Sequence, residues 1–226
     1  MKRFVITIIL FICLLSMQGC KNNKDMINNI TIGGLTFENI TKINVKEMTP
    51  PFDDIEIIEP NEITSIANYF NSINPIDTNK DYSGKAGSGY RIDISYGNDV
   101  TSKIIIFGSA FTVDDNPTQE LSYDEVSAFN VVIGTIIITR YRAENKENII
   151  IGEIVSVSSD KEGHAFSCEI KTNDNKIVMI DINNARILDI TGSGGLVLNT
   201  GNEVEIGLKN THDFIADIIF VTKKAN

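Results

Sequence analysis

The chain is poor in the groups that most enzymes use to move protons or hold metals. Only two histidines occur in its 226 residues, His164 and His212. They lie far apart at expected strand edges, with no partner at helical spacing and no Cys/His cluster. That pattern gives a transition-metal site little to build on, and it leaves a nucleophilic serine short of a base. No nucleophile-elbow pattern is present either. Positive charge is also scarce: 20 Lys and Arg stand against 30 Asp and Glu, a formal net charge of −10. Such an excess is repelled by phosphate backbones and anionic headgroups, so a nucleic-acid partner is not expected. Apolar residues fill positions 4–17 with only Thr7 and Ser16 interrupting. That run falls short of the roughly 20 residues a spanning helix needs, and with Lys2 and Arg3 before it the segment fits a signal-peptide core.

The residues at the end of that core carry the first resemblance. Leu15-Ser16-Met17-Gln18-Gly19-Cys20 resembles the bacterial lipobox, in which a small residue precedes an invariant cysteine and a larger aliphatic residue sits three places before it. Gly19 fits, while Met17 and Gln18 depart from the usual occupants. The resemblance implies cleavage after Gly19, diacylglycerol on the Cys20 thiol, and a chain held by lipid at the extracytoplasmic face of a cell membrane. Two or three acyl chains hold a protein firmly where one does so only marginally. Loss of residues 1–19 removes Lys2 and Arg3, taking the formal charge from −10 to −12. Of three cysteines, Cys13 then leaves and Cys20 is acylated. Only Cys168 remains, so no disulfide can form within the chain and packing alone must supply stability. Cys168 shares the face of an alternating stretch with Phe166 and Ile170, which makes it a buried, inert thiol.

The expected fold class is α+β, with a small α+β domain followed by a β-rich, OB-like barrel. After a polar lipidated tether at 20–33, the first domain occupies 34–141. Strand patterns at 41–48 and 54–59 flank the turn Thr49-Pro50-Pro51. Pro60 and Glu62 then open a helix whose apolar face is Ile63, Ile66, Ala67, Phe70 and Ile73, and Asn74-Pro75 ends it. A polar, glycine-containing loop over 76–89 leads to an alternating strand at 90–96. Gly97-Asn98-Asp99 turns that strand into a second one at 102–107, making a hairpin. Residues 121–130 are compatible with helix, whereas the β-branched stretch 131–139 predicts a strand. A charged linker is expected at 142–148. Beyond it, 149–226 gives strands at 149–157, 165–171, 176–182, 203–208 and 214–222, with a short helix near 184–190. Five strands with a helix between the third and fourth match the order of an OB-fold. Leu198 and the turn Asn199-Thr200-Gly201-Asn202 before an alternating strand resemble the pattern of such barrels. Separately, the run from Thr41 through the helix, Asp81-Tyr82-Ser83-Gly84 and the hairpin resembles small domains of lipoproteins from low-GC Gram-positive bacteria. It implies an envelope setting and no particular activity.

Candidate sites are few. Asp77, Asn79 and Asp81 alternate as the start of a calcium loop does, yet Tyr82 and Ser88 stand where the sharp-turn glycine and the bidentate glutamate belong. Asp114-Asp115-Asn116 with Glu120 reads as a proline-supported turn. Gly84–Gly89 and Gly192–Gly195 lack the lysine and the strand-to-helix setting of a phosphate loop. The expectation is therefore a non-catalytic binding or interaction module of the cell envelope that needs no cofactor. Its partners would be the membrane, through Cys20, and an envelope protein or glycan. The places to look are the loop carrying Asp77, Asn79 and Asp81, and the barrel face around Glu169, Lys171, Lys176 and Met179. The alternatives are an envelope hydrolase working through carboxylates and an inhibitor of a secreted enzyme.

Overall fold

Alternation of isoleucine and valine with polar residues builds the first sheet. In the computed structural model, which describes residues 39–48, 54–82, 89–97, 100–192, 198–209 and 212–225, the chain is α+β and rich in strand. The first part comprises β1 Ile40–Glu47, β2 Ile55–Ile57, α1 Pro60–Ser72, β3 Ile76–Asp77, β4 Gly89–Tyr96, β5 Thr101–Phe107, β6 Ala110–Val113 and β7 Gln119–Glu120. Its sheet runs β2-β1-β4-β5-β6-β7-β3, antiparallel at every step. The register sets Val45 beside Ile92 and Ile92 beside Ile104, while Ile43 faces Ile94, so one face of the sheet is a continuous apolar layer. Successive side chains point to opposite faces, and a slip by one residue would expose the whole layer.

Helix α1 begins with Pro60 in its first turn and buries Ile66, Ala67, Tyr69 and Phe70. Helix α2, Tyr123–Glu144, begins at Ser122, whose Oγ accepts the Glu125 N–H at 3.2 Å while Glu125 Oε2 accepts the Ser122 N–H at 2.7 Å. This reciprocal capping satisfies donors that a helix start otherwise leaves open. Residues 131–139, expected as a strand, are the middle of α2. The helix touches α1 through Phe129, whose ring lies 5.0 Å from that of Tyr69, and touches a second sheet through Ile138 and Tyr141. A helix covered on both flanks carries apolar residues most of the way round and shows little helical periodicity. The expected linker is filled by the last turn of α2, Arg142 to Glu144, and a single 3-10 turn at Lys146–Asn148.

The second sheet consists of β8 Ile149–Ser159, β9 Ala165–Thr172, β10 Ile177–Asp181, β11 Arg186–Asp189, β12 Glu203–Leu208 and β13 Ala216–Lys223, ordered β10-β9-β8-β12-β13-β11. Its core is aliphatic: Ile154, Ile170, Ile180, Val204, Ile206, Ile219 and Val221, together with the Cys168 thiol. Burial pushes that thiol up to about 11, which keeps it protonated and unreactive at neutral pH. The helix expected near 184–190 is instead strand β11, parallel to β13. Leu188 and Ile190 face α2 while Ile187 packs on the sheet interior, so the segment obeys a two-residue period between two apolar surfaces. The expected closed barrel is an open sheet. Between β10 and the start of β13 there is one parallel bridge, Asp181 with Ile215, and the Asp181 N–H donates to the Phe214 carbonyl at 3.0 Å.

Residues Asn39–Asn226 belong to one compact unit. No helix among the described residues is long and apolar enough to cross a membrane. The signal segment, Cys20 and its tether, Thr49-Pro50-Pro51, 83–88, 98–99 and 193–197 lie outside the described residues, as do most of the two glycine-rich stretches.

Candidate functional site

A cleft of about 830 Å³ opens between the end of the first sheet, the start of α2 and β11. Its apolar wall is supplied by Ile76, Ile106, Leu121, Val126, Ile187 and Leu188. The volume falls within the roughly 300–1,000 Å³ usual for ligand sites, as does the pattern of an apolar lining with a few convergent polar groups.

The polar groups come from four places in the chain. Arg186 at the start of β11 donates from Nη2 to Glu47 Oε1 at 2.6 Å, and each side chain of this pair is only 12% exposed. Tyr90 of β4 stands beside them. Burial raises its hydroxyl pKa, and the Glu47 charge and a hydrogen bond to Glu47 raise it further, so the phenol stays a neutral donor. The three side chains tie β1, β4 and β11 together across 139 residues of sequence. At the other end of β11, Asp189 is buried and accepts from Thr191 N and Oγ1 at 2.9 and 2.6 Å, with Lys224 Nζ at 2.9 Å. Burial pushes its carboxyl up, but these bonds outweigh it and hold the pKa below the ordinary range. Glu125, at the start of α2, shows the same balance: burial opposes ionisation, and the N–H groups of Asn74 and Ser122 prevail. Glu120, on the rim, is lowered chiefly by Lys80, whose Nζ lies 2.6 Å away, and also accepts from Ser109 Oγ at 3.3 Å.

These shifts constrain the chemistry. A carboxyl acting as general acid near neutral pH needs a raised pKa, as in a pair whose two members are pushed apart. Glu120, Glu125 and Asp189 are all held in the ionised form, which suits recognition of charge rather than proton donation.

None of Asp77, Asn79, Asp81, Glu169, Lys171 and Lys176 lines the cleft. Asp77 Oδ1 accepts from Gln119 Nε2 at 3.1 Å in the short β3–β7 ladder, and Asn79 and Asp81 sit in the exposed turn beside Lys80. The two ends of that loop, Ile76 and Gly89, do reach the cleft wall. On the second sheet Glu169 accepts from Ser156 Oγ at 2.8 Å, Lys171 is exposed, and Lys176 pairs with Asp174 at 2.7 Å. Asp114 does not gather with Glu120: its Oδ1 accepts the Lys103 N–H at 2.7 Å and secures the β5–β6 hairpin. His164 lies in the exposed β8–β9 turn with Asp160 and Glu162, and Asp160 Oδ1 there accepts the backbone N–H of both Glu162 and His164.

The cleft residues that sequence reasoning missed are Glu47, Tyr90, Arg186 and Asp189. Their separation along the chain leaves no local signal. The Ser122-x-x-Glu125 spacing is a legible capping box, and it marks the true start of α2 at the cleft mouth. Compared with protein-family models, curated proteins and solved structures, the chain has no match.

Proposed function

We propose that this chain is an extracytoplasmic lipoprotein, anchored through acyl chains on Cys20, that binds a ligand in the cleft rather than transforming it. The observation that carries the binding reading is the cleft itself: an apolar wall of six side chains with Glu47, Tyr90, Arg186 and Asp189 fixed around it. Ionised, hydrogen-bonded carboxylates favour this reading over an envelope hydrolase working through acid–base carboxylates. The anchor reading is supported by the Lys2-Arg3 start, the short apolar core and the Gly19-Cys20 junction.

On the same footing, the second sheet is read as an opened relative of the OB barrel. The meander β8-β9-β10, the placing of β12 beside β8 and β13 beside β12, and the parallel Asp181–Ile215 bridge fit that strand order. Strand β11 takes the place of the usual helix.

Both parts are tested on intact cells. With Cys20→Ala the protein is expected to leave the membrane fraction and lose its incorporated fatty acid; retention of both would remove the anchor. Val126→Trp fills the cleft from its wall, and crosslinking with mass spectrometry should then lose the species captured by the unaltered protein. Capture that persists unchanged in the filled variant would exclude the cleft as the binding site.

A further inference from the structure

Strand β11 ends the second sheet, and all four of its residues, Arg186 to Asp189, line the cleft. In a parallel pair, alternate residues of a strand direct both backbone groups at the neighbour. The Ile190 N–H donates to the Val221 carbonyl of β13 at 3.1 Å, so residues of the same parity, Leu188 and Arg186, also turn toward β13. Ile187 and Asp189 therefore direct their N–H and C=O groups to the opposite edge. Among the described residues no strand pairs with that edge. The faces of β11 lie against different partners, Leu188 against α2 and Ile187 against the sheet interior, and both side chains also border the cleft beside the unpaired edge. Unpaired strand edges are templates for another chain, and sheet proteins ordinarily blunt them.

Charge limits the occupant. The cleft wall holds four carboxylates, Glu47, Glu120, Glu125 and Asp189. Three of them face a cation, Glu47 with Arg186, Glu120 with Lys80 and Asp189 with Lys224, so the site keeps an excess of one negative charge centred on Glu125. Glu125 is satisfied by Asn74 and Ser122, which are neutral, and the Lys80 that pairs with Glu120 has a side chain 60% exposed, where its hold on the carboxylate is weak. The whole chain is acidic as well. A positively charged segment is thus favoured and an acidic one repelled.

We infer that the cleft binds an extended basic peptide segment, apolar residues alternating with Lys or Arg, which adds as a strand along the free edge of β11. This rests on the reading of the cleft as a binding site and names what it takes. Main-chain hydrogen bonds to Ile187 and Asp189 supply strand pairing, the apolar wall takes one set of side chains, and Glu125 with Glu120 takes the other.

The test uses the full chain purified from membranes and labelled, end-capped peptides read by fluorescence anisotropy. The sequence Val-Lys-Val-Arg-Val is compared with Val-Glu-Val-Glu-Val and with two N-methylated forms of the basic peptide, blocked on odd or on even amides. The basic peptide should bind at least about tenfold more tightly than the acidic one, and only one of the two methylation patterns should abolish binding, since a strand pairs through one edge. Equal binding of both charges, or tolerance of both methylation patterns, overturns the inference. A neutral apolar dye, N-phenylnaphthylamine, separates the levels. Dye binding that Val126→Trp removes, with no peptide bound, keeps the cleft as a site and sinks strand addition; binding of neither dye nor peptide sinks both.

Discussion

The first sheet buries its apolar face under rings, and the second buries its own under branched aliphatic chains. Phe70, Phe111 and Phe129 are fully buried, with ring centroids 5.9 Å apart for Phe70 and Phe129, 6.4 Å for Phe70 and Phe111 and 5.1 Å for Tyr90 and Phe129. Two helices supply part of that set, Phe70 from α1 and Phe129 from α2. Among the described residues no helix contributes a side chain to the inner core of the second sheet. That core is mainly isoleucine and valine, and the buried ring of Phe220 belongs to a separate cluster that faces Tyr141 of α2 at 6.1 Å. The first sheet thus takes part of its cover from helices, whereas the inner core of the second comes from its own strands and loops. The cleft forms where these two kinds of surface meet, and the Glu47–Arg186 pair spans it.

The largest effect should come from the ring cluster. Phe129→Ala empties a site shared by α1, α2 and β4 and should cost about 3–5 kcal/mol, whereas Ile206→Val in the aliphatic core should cost about 0.5–1.5 kcal/mol. Urea denaturation monitored by circular dichroism checks both. Equal losses at the two positions would break the contrast between a helix-covered and a self-covered sheet. Next in size is the bridge. Arg186→Met leaves Glu47 nearly buried without its cation and should cost about 3 kcal/mol, while Arg186→Met combined with Glu47→Leu should recover most of the loss. A double variant as unstable as the single one would show that the pair contributes by shape, not by charge balance. Smallest is the acid limb of stability. Asp189 is held below its ordinary carboxyl value of 3.8 in the folded chain, so its contribution is present above that pH and fades as pH falls through the lowered folded value. Asp189→Asn should flatten the decline below about pH 4 in a stability-against-pH series. An unchanged acid limb would assign that decline to carboxylates elsewhere.

Much of this architecture was legible where burial is one-sided. Strands β1, β4 and β9 alternate apolar with polar residues, and α1 shows its single apolar face between Pro60 and Asn74. Legibility failed where an element is covered on both sides. Helix α2 carries Val131, Val132 and Ile136 to Ile138 in a β-branched run because sheets flank it, and tertiary packing outweighed their propensity. Segment 184–190 reads as helix for a related reason, being too short for the two-residue period of β11 to stand out from a helical one. The site was the least legible part. Glu47, Tyr90 and Arg186 meet only because the β1–β4 register and the return of the chain through β11 bring them together, and no spacing in the sequence encodes that. The oxygen-rich segment Asp77 to Asp81 stands out by composition, yet Asp77 engages Gln119, Thr78 engages the Lys80 N–H, and none of Asp77, Asn79 and Asp81 lines the cleft.

Near its end, α2 sends two arginines in different directions. Arg140 reaches Glu62 of α1, with Nε to Oε1 at 2.9 Å, and the Glu56 carbonyl of β2, while Arg142 reaches Glu205 of β12, with Nε to Oε2 at 2.8 Å. Two residues along a helix are separated by roughly 200° of rotation, so these tethers pull from nearly opposite sides. A helix held this way resists rolling about its axis in either sense, because any turn that slackens one tether stretches the other. The cleft lies at the opposite end of α2, at Ser122 and Val126, so a tilt of the helix about this tethered end would displace the cleft wall more than Arg142.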